Sequence, residues 1–269
     1  DKRDYSKRFI NIDNLIEKSK KCITEGSKLI IWPESALPYN NLQDSKTLQY
    51  IIDRLLINND SYLLTGNVIY SDNGHYNSSV LINKTGIVEI YNKRLLVPAA
   101  ESVPMSDIFP ILKEFNLGQA NFSKGEEDVL FNVYNQKFSS LICFESTFPH
   151  INRRHAKMGA DYFIYLVNDG WYKKETEPKQ HLRQSMYRAI ENRKTVVRCA
   201  NTGVSAIIEP SGRIVESLSL NTSGEITTFI KKTNRSTFYT NYGNVFAIIV
   251  LIITGSLFIR TLFNDEKNI

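Results

Sequence analysis

Apolar and polar positions along the chain alternate between two periods. Phe9, Ile12, Leu15, Ile16 and Ile23 recur at helical spacing and predict a helix over Phe9–Thr24. Leu48, Ile51, Ile52, Leu55 and Leu56 repeat that spacing over Ser45–Leu56. Further helices are predicted over Ile151–Met158 and over Pro178–Arg193, with Pro178 in the first turn of the latter. Between them lie apolar runs of strand length: Leu29–Trp32, Leu63–Tyr70, a strand closing at Ile142, Tyr162–Val167 and Val196–Ala200. Two hairpins are predicted. Ser79–Tyr91 turns at Asn83-Lys84-Thr85-Gly86, and Ser205–Val215 turns at Pro210-Ser211-Gly212. Strands alternating with helices, plus two hairpins, indicate an α/β layered sandwich with a mixed sheet.

One segment departs from this alternation. Val245–Ile259 carries no charge, the uncharged run reaches back to Ser236, and Arg260 closes it. An uncharged, mostly apolar stretch of about 17 residues or more is long enough for a transmembrane helix. Phe238, Tyr239 and Tyr242 give it an aromatic leading flank of the kind found at membrane interfaces. A buried core helix is the plainer alternative.

Composition changes this picture little. The 269 residues are 42% hydrophobic and 23% charged, with a net charge of +5. Lys and Arg are scattered, as at Arg153-Arg154, so they read as solvated helix faces, and no aromatic-and-basic stripe argues for nucleic acid. Cys22, Cys143 and Cys199 are odd in number and widely spaced, which gives neither a disulfide framework nor metal-ligand spacing. His75, His150, His155 and His181 add no metal pattern, so no metal site is expected. The chain opens on the polar Asp1-Lys2-Arg3-Asp4, with no initiating Met and no signal peptide, as if cut from something longer.

The candidate chemistry sits where three apolar runs end. Leu29–Pro33 leads into Glu34, Ile87–Asn92 into Lys93, and Phe138–Ile142 into Cys143. Strand ends are where catalytic groups collect in open α/β sheets. A thiol needs a base to become a nucleophile. Glu34, behind Trp32-Pro33, is placed to accept the proton. An oxyanion needs donors held in advance, which Lys93 and the backbone N–H of Phe144 can supply. A strand-to-helix turn at Cys143 is expected to lower the thiol pKa. Each residue alone has a bland reading, a packing cysteine or a solvated charge, and spacing alone does not show that the three meet.

The wording around them is more specific. Ile31-Trp32-Pro33-Glu34-Ser35-Ala36-Leu37-Pro38, Tyr76-Asn77-Ser78, Tyr91–Pro98 through Glu101-Ser102-Val103-Pro104, and Ile142-Cys143-Phe144-Glu145 occur in that order. They are followed by Asn168-Asp169-Gly170-Trp171-Tyr172, Gln180-His181, Arg188-Ala189-Ile190-Glu191 and Asn201–Ala206. These stretches resemble the nitrilase (carbon–nitrogen hydrolase) superfamily and, within it, the bacterial apolipoprotein N-acyltransferases. The resemblance implies a four-layer α-β-β-α sandwich. It implies Glu34 as general base, Lys93 as oxyanion-stabilising lysine and Cys143 as acyl-carrying nucleophile, with Glu101, Phe144 and Glu145 in support. No cofactor is implied. Trp171, Tyr172 and Asn168 are candidates to line the substrate, against plainer roles in packing and turn formation. Ala99-Ala100 stand where the family has an aromatic residue and a glycine.

On this reading the chain divides into a nitrilase-like catalytic domain over 1–235, a juxtamembrane linker over 236–243, a transmembrane helix over 244–260 and a polar tail over 261–269. The family's first strand and its upstream transmembrane bundle are expected to be missing. The implied reaction moves a fatty acyl chain from a phospholipid, through a Cys143 thioester, to the amine of a diacylglyceryl-cysteine lipoprotein. It implies a bacterial inner membrane location with the catalytic domain on the periplasmic side. The alternatives are an amidase of small carbon–nitrogen bonds and an inactive membrane-anchored remnant. The apolar stretch Phe109–Phe122 is either a membrane-touching lid or a satellite cluster.

Overall fold

A computed structural model describes residues 8–37, 42–103, 120–171, 174–233 and 235–265. Its strands form two sheets. The first runs β1 (Leu29–Ile31), β2 (Tyr62–Ser71), β3 (Gly74–Asn83) and β4 (Gly86–Asn92), hydrogen-bonded in that order. The second comprises β5 (Phe131–Val133), β6 (Gln136–Ile142), β7 (Tyr162–Val167), β8 (Thr195–Ala200), β9 (Ser205–Ile208) and β10 (Ile214–Leu218), ordered β10-β9-β8-β7-β6-β5. Strands β6, β7 and β8 are parallel, as are β1 and β2, and the other pairs are antiparallel. All six residues of β7 are buried. A central parallel strand is covered on both faces, which is why Tyr162–Val167 reads as a continuous apolar run.

Helices cover the outer faces. α1 (Arg8–Thr24) and α2 (Ser45–Ile51, continued by a π turn to Leu56) pack Ile12, Ile16, Ile51 and Leu55 against Leu63, Val80 and Ile82 of the first sheet. Asp44 caps α2 by accepting the N–H of Lys46 at 3.1 Å. α3 (Pro149–Lys157) and α4 (Thr176–Asn192) place Ile151, Ala156 and Ala189 on the second sheet. The inner faces meet through Leu64, Leu81 and Tyr91 on one side and Phe138, Leu141 and Ile164 on the other. Full burial of each such aliphatic or phenyl side chain contributes about 1.5–3 kcal/mol. A polar pair, Ser79 Oγ to Ser140 Oγ at 2.6 Å, crosses the same interface. The four-layer sandwich is therefore formed. Its first sheet ends at β1 among the described strands, and a cavity of about 530 Å³ opens beside Leu29–Trp32, bounded by α1 and by Val197–Ala200.

The C-terminal region differs from the expectation. The segment 236–243, expected as a linker, contains a short helix, α5 (Phe238–Tyr242), docked on the domain. Thr237 Oγ1 donates to Glu191 O at 2.5 Å, and Thr240 Oγ1 donates to Asn192 Oδ1 at 3.1 Å. Arg153, expected on a solvated face, donates to Tyr239 O and Asn241 O, each at 2.9 Å. α6 (Val245–Asp265) follows, with Phe246, Ile248, Leu251 and Phe258 exposed. Its side chains are described only as far as Thr261, and among the described residues no helix is long and apolar enough to cross a membrane. The transmembrane helix expected over 244–260 is thus present as an apolar, outward-facing helix and is not shown as a span. Most of the Phe109–Phe122 stretch lies outside the described residues.

Candidate active site

The ends of β1, β4 and β6 bring the three reactive side chains together. After β1, Trp32 is buried and its indole N–H donates to Ser19 Oγ of α1 at 2.9 Å, fixing the path into the turn that holds Glu34. Gly66 of β2 lets that turn pass, because a Cβ there would sit 2.7 Å from Glu34 Cα. The Glu34 carboxylate is buried, and its Oε1 accepts the Asn77 side-chain amide at 2.8 Å. Among the described residues its Oε2 has no hydrogen-bond partner, and the Cys143 thiol acts on the same carboxylate.

Lys93 follows β4 and is 1% exposed. Its Nζ lies 2.9 Å from Glu101 Oε1, 2.8 Å from Glu101 Oε2 and 3.9 Å from Glu34 Oε1. Glu101 is held in turn by the Val97 N–H at 2.8 Å and by the Asn77 amide at 3.0 Å. Asn77 on β3 therefore donates one hydrogen to each of two carboxylates. Both partners are acceptors, so the amide nitrogen must face them. The loop that delivers Glu101 closes on itself, with Ala99 at φ 65° and its N–H bonded to Ser102 O at 2.8 Å.

Cys143 opens a short 3-10 turn (Cys143–Thr147) directly after β6, with φ 48°. A left-handed backbone at a non-glycine residue costs of order 1–2 kcal/mol and is found where the surroundings over-determine it. Its Sγ points toward Asn168 O at 4.0 Å. Glu145, fully buried, holds this turn against the Lys93 segment. Its Oε1 accepts from Tyr91 Oη at 2.7 Å, Arg94 N at 2.7 Å and Leu95 N at 3.1 Å, and its Oε2 accepts from Ile142 N at 2.9 Å. Phe144 packs edge-on to Phe148, ring centres 4.8 Å apart.

The electrostatics follow from burial. Burial pushes the Glu34 carboxyl above its ordinary range, against the pull of Lys93 and Asn77. Burial pulls the Lys93 ammonium down, but Glu34 and Glu101 outweigh it and the net direction is up. Burial and then Glu34 push the Cys143 thiol up, against Lys93. This corrects the expectation of a lowered thiol: the turn after Cys143 is a single 3-10 turn, and desolvation dominates. Burial thus favours the protonated thiol, the neighbouring carboxylates favour the charged ammonium, and the Glu34 carboxylate binds a proton more tightly than an exposed one.

Residues 2–237 match the family model described as carbon-nitrogen hydrolase. This chain belongs to the carbon–nitrogen hydrolase family. It is 35% identical over 252 residues to the apolipoprotein N-acyltransferase of Rickettsia bellii, covering 89% of this chain and 48% of that protein. It is 32% identical over 265 residues to the enzyme of the same name from Rickettsia typhi, covering 94% and 51%. The chain spans about half the length of these relatives. Among solved structures it resembles Saccharomyces cerevisiae Nit3, a member of branch 10 of the nitrilase superfamily. The TM-score is 0.60 and the identity 18%, over 79% of this chain and 82% of that one, a likeness of fold.

On this carbon–nitrogen hydrolase frame, six sequence-derived positions converge: Glu34, Lys93, Glu101, Cys143, Phe144 and Glu145. Trp171 and Asn168 do not join them as side chains. Trp171 is 71% exposed. Tyr172 lies outside the described residues. Asn168 contributes its backbone carbonyl, while its Oδ1 accepts the Gly170 N–H at 3.2 Å as a turn-former. Asn77, Asp169 and His181 stand in the sequence only as parts of the family-like stretches, with no catalytic role assigned. Asn77 reads as a polar interruption, and Asp169 and His181, twelve residues apart, stand on different elements behind Cys143. Ligand-type atoms of Cys143, Asp169 and His181 all lie within 4.8 Å of one another.

Proposed function

We propose that this chain is the acyl-transferring part of an apolipoprotein N-acyltransferase, with residues 1–235 as its catalytic domain. The observation that carries the reading is the buried convergence of Glu34, Lys93 and Cys143, seen in a chain whose relatives bear that name. As Cys143 Sγ attacks the ester carbonyl of a phospholipid, Glu34 takes the thiol proton. Lys93, with the Phe144 N–H, stabilises the oxyanion. Collapse of the tetrahedral species breaks the ester bond, and the leaving lysophospholipid oxygen takes the proton back from Glu34. The amine of a diacylglyceryl-cysteine lipoprotein then attacks the thioester carbonyl and passes its proton to Glu34. Cleavage of the C–S bond releases the amide and returns that proton to sulfur.

A cavity of about 660 Å³ supports a lipid acyl donor. It opens beside Phe144, with an apolar wall of Leu95, Leu96, Pro98, Val103 and Phe148 and a polar rim that includes Arg94 and Lys124. The exposed apolar side chains of α6 support membrane association of the domain. A location at the bacterial inner membrane, with the site on the periplasmic side, is proposed from the family resemblance.

The test uses phospholipid carrying a labelled acyl chain. Label is expected on Cys143 of the wild-type protein, discharged by a diacylglyceryl peptide, and absent from Cys143→Ala. Acyl label retained by Cys143→Ala overturns the assignment. Turnover of small amides with no acyl-enzyme from phospholipid would move the reading to an amidase.

A further inference from the structure

Cys143 sits in the left-handed region, and something must hold it there. Its carbonyl oxygen is the point of attachment. Ser146 Oγ donates to it at 2.7 Å, and His181 Nε2 of α4 lies 3.1 Å from it and 2.9 Å from Ser146 Oγ. The other ring nitrogen, Nδ1, is 2.8 Å from Asp169 Oδ1, and Asp169 Oδ2 accepts from Arg198 Nη2 of β8 at 2.6 Å. Arg198 Nε donates onward to Val204 O at 3.1 Å. Asp169, His181 and Arg198 are all buried. A Cβ at Gly203 would lie 2.1 Å from Asp169 Oδ2, so the backbone closes over that carboxylate. Both ring nitrogens of His181 and both oxygens of Asp169 are engaged within the protein. That makes the cluster a hydrogen-bonded brace rather than a set of vacant metal ligands.

We propose that His181, braced by Asp169 and Arg198, is a positioning residue for Cys143: it fixes the Cys143 carbonyl and with it the left-handed turn that aims Sγ at Glu34. The inference rests on Cys143 being the nucleophile. Its physical basis is proton counting. Asp169 is a carboxylate paired with Arg198, so Nδ1 of His181 must carry a hydrogen. If Nε2 carries one too, His181 and Ser146 both donate to the Cys143 carbonyl. If it does not, the single Ser146 hydroxyl hydrogen must serve both Nε2 and the carbonyl, and the turn loses one tie. Burial and then Arg198 pull the imidazole pKa down, against Asp169 and the Cys143 carbonyl, and the net direction is down, so the doubly protonated ring with its second tie is gained on going to acid. Among the described residues, the charged or titratable groups facing this network are Asp169, Arg198 and Cys143, with Tyr165 beside Arg198 and Glu34 and Lys93 beyond the sulfur.

The test is alkylation of Cys143 by iodoacetamide in the intact protein. It is read on the Cys143 peptide by mass spectrometry across acid to neutral pH, beside acyl-enzyme formation from labelled phospholipid. His181→Ala is expected to slow both rates by about 10- to 100-fold without changing the half-saturating phospholipid concentration, since an ångström-scale misplacement of a reacting group costs up to that factor. His181→Gln, which keeps an N–H within reach of the carbonyl, is expected to recover most of the loss and to flatten the pH dependence below neutral. Asp169→Asn is expected to fall between them. A folded His181→Ala that is alkylated at the wild-type rate and pH profile overturns the proposal. If His181→Ala does not fold, a folded His181→Gln with an unaltered pH profile overturns it instead. Alkylation that depends on His181 while wild-type Cys143 takes no acyl label would sink the acyl-donor reading and leave this one standing.

Discussion

Glu145 accepts the backbone N–H of Arg94 at 2.7 Å, so the residue two beyond Cys143 is bonded to the residue that follows Lys93. With the Leu95 N–H at 3.1 Å and the Ile142 N–H at 2.9 Å on the same carboxylate, one side chain ties the ends of two different sheets. Every partner is a donor, so Glu145→Gln must turn an amide N–H₂ toward at least one N–H. A buried donor left without an acceptor costs about 1–3 kcal/mol. Glu145→Gln is therefore expected to lose that much stability in denaturant titration, and to slow Cys143 acylation because Lys93 and Cys143 lose their common anchor. Wild-type acylation in a destabilised Glu145→Gln would show that the tie serves the fold alone.

Asn77 helps to set the proton affinity of the base. Burial raises the Glu34 pKa, and the Lys93 ammonium and then the Asn77 hydrogen bond hold it down. As base, Glu34 must be ionised, so acylation rises with pH through its folded-state pKa. Removing the Asn77 bond in Asn77→Ala raises that pKa, and the acid limb of the single-turnover rate moves to higher pH. Neutral-pH acylation falls with it. An acid limb that stays in place in Asn77→Ala would mean that Glu34 is not the titrating base.

The contrast between Glu34 and Asn77 shows what was legible in the sequence. Glu34, Lys93 and Cys143 each close an apolar run, and apolar runs mark strand ends that the fold then gathers. Asn77 lies inside Tyr76-Asn77-Ser78, which breaks the alternation, so the predicted hairpin began at Ser79 although β3 starts at Gly74. Those polar residues are buried because tertiary partners satisfy them: Ser78 donates to Asn92 Oδ1 at 2.7 Å, and Ser79 meets Ser140 across the sheets. β5 spans three residues, too few to display a period. His181 carried no metal-like spacing because its partners, Asp169 and the Cys143 carbonyl, come from other elements. The helical reading of 45–56 and the strand at 162–167 held because, Thr47 apart, both are apolar over their buried positions.

Lys93 separates two carboxylates that repel one another, since Glu101 raises the Glu34 pKa and Lys93 lowers it. Lys93→Met keeps the length and removes the charge, leaving Glu34 and Glu101 buried without their cation. Breaking a buried pair this way costs roughly 3–5 kcal/mol, and losing one oxyanion donor costs on the order of 10²–10³ in rate. Adding Glu101→Gln to Lys93→Met is expected to recover part of the stability and none of the rate. Recovery of acylation in the double variant would remove Lys93 from the chemistry. A thermal melt and a single-turnover assay on the same preparations separate the two effects.

Asp128 governs stability in acid. Burial works against its ionised form, but hydrogen bonds from Arg154, Arg94 and His155 outweigh that and hold its carboxyl near 2, below its ordinary 3.8. Arg154 Nη1 and His155 Nε2 each lie 3.0 Å from it, and Arg94 bonds the same carboxylate. A carboxyl lowered in the folded state binds its proton more weakly there than in the unfolded chain. Its contribution is therefore fully present above the unfolded value and is lost as pH falls through the folded one. Wild-type protein is expected to lose stability between about pH 4 and about pH 2 more steeply than Asp128→Asn, whose side chain does not titrate. Other carboxylates titrate in the same range, so the readout is the difference between the two urea midpoints across that window. Above it, Asp128→Asn is expected to be the less stable of the two, because Arg94 and His155 lose a charged partner. Parallel midpoints down to the lowest pH would show that this carboxylate contributes nothing to the fold, despite its three basic neighbours.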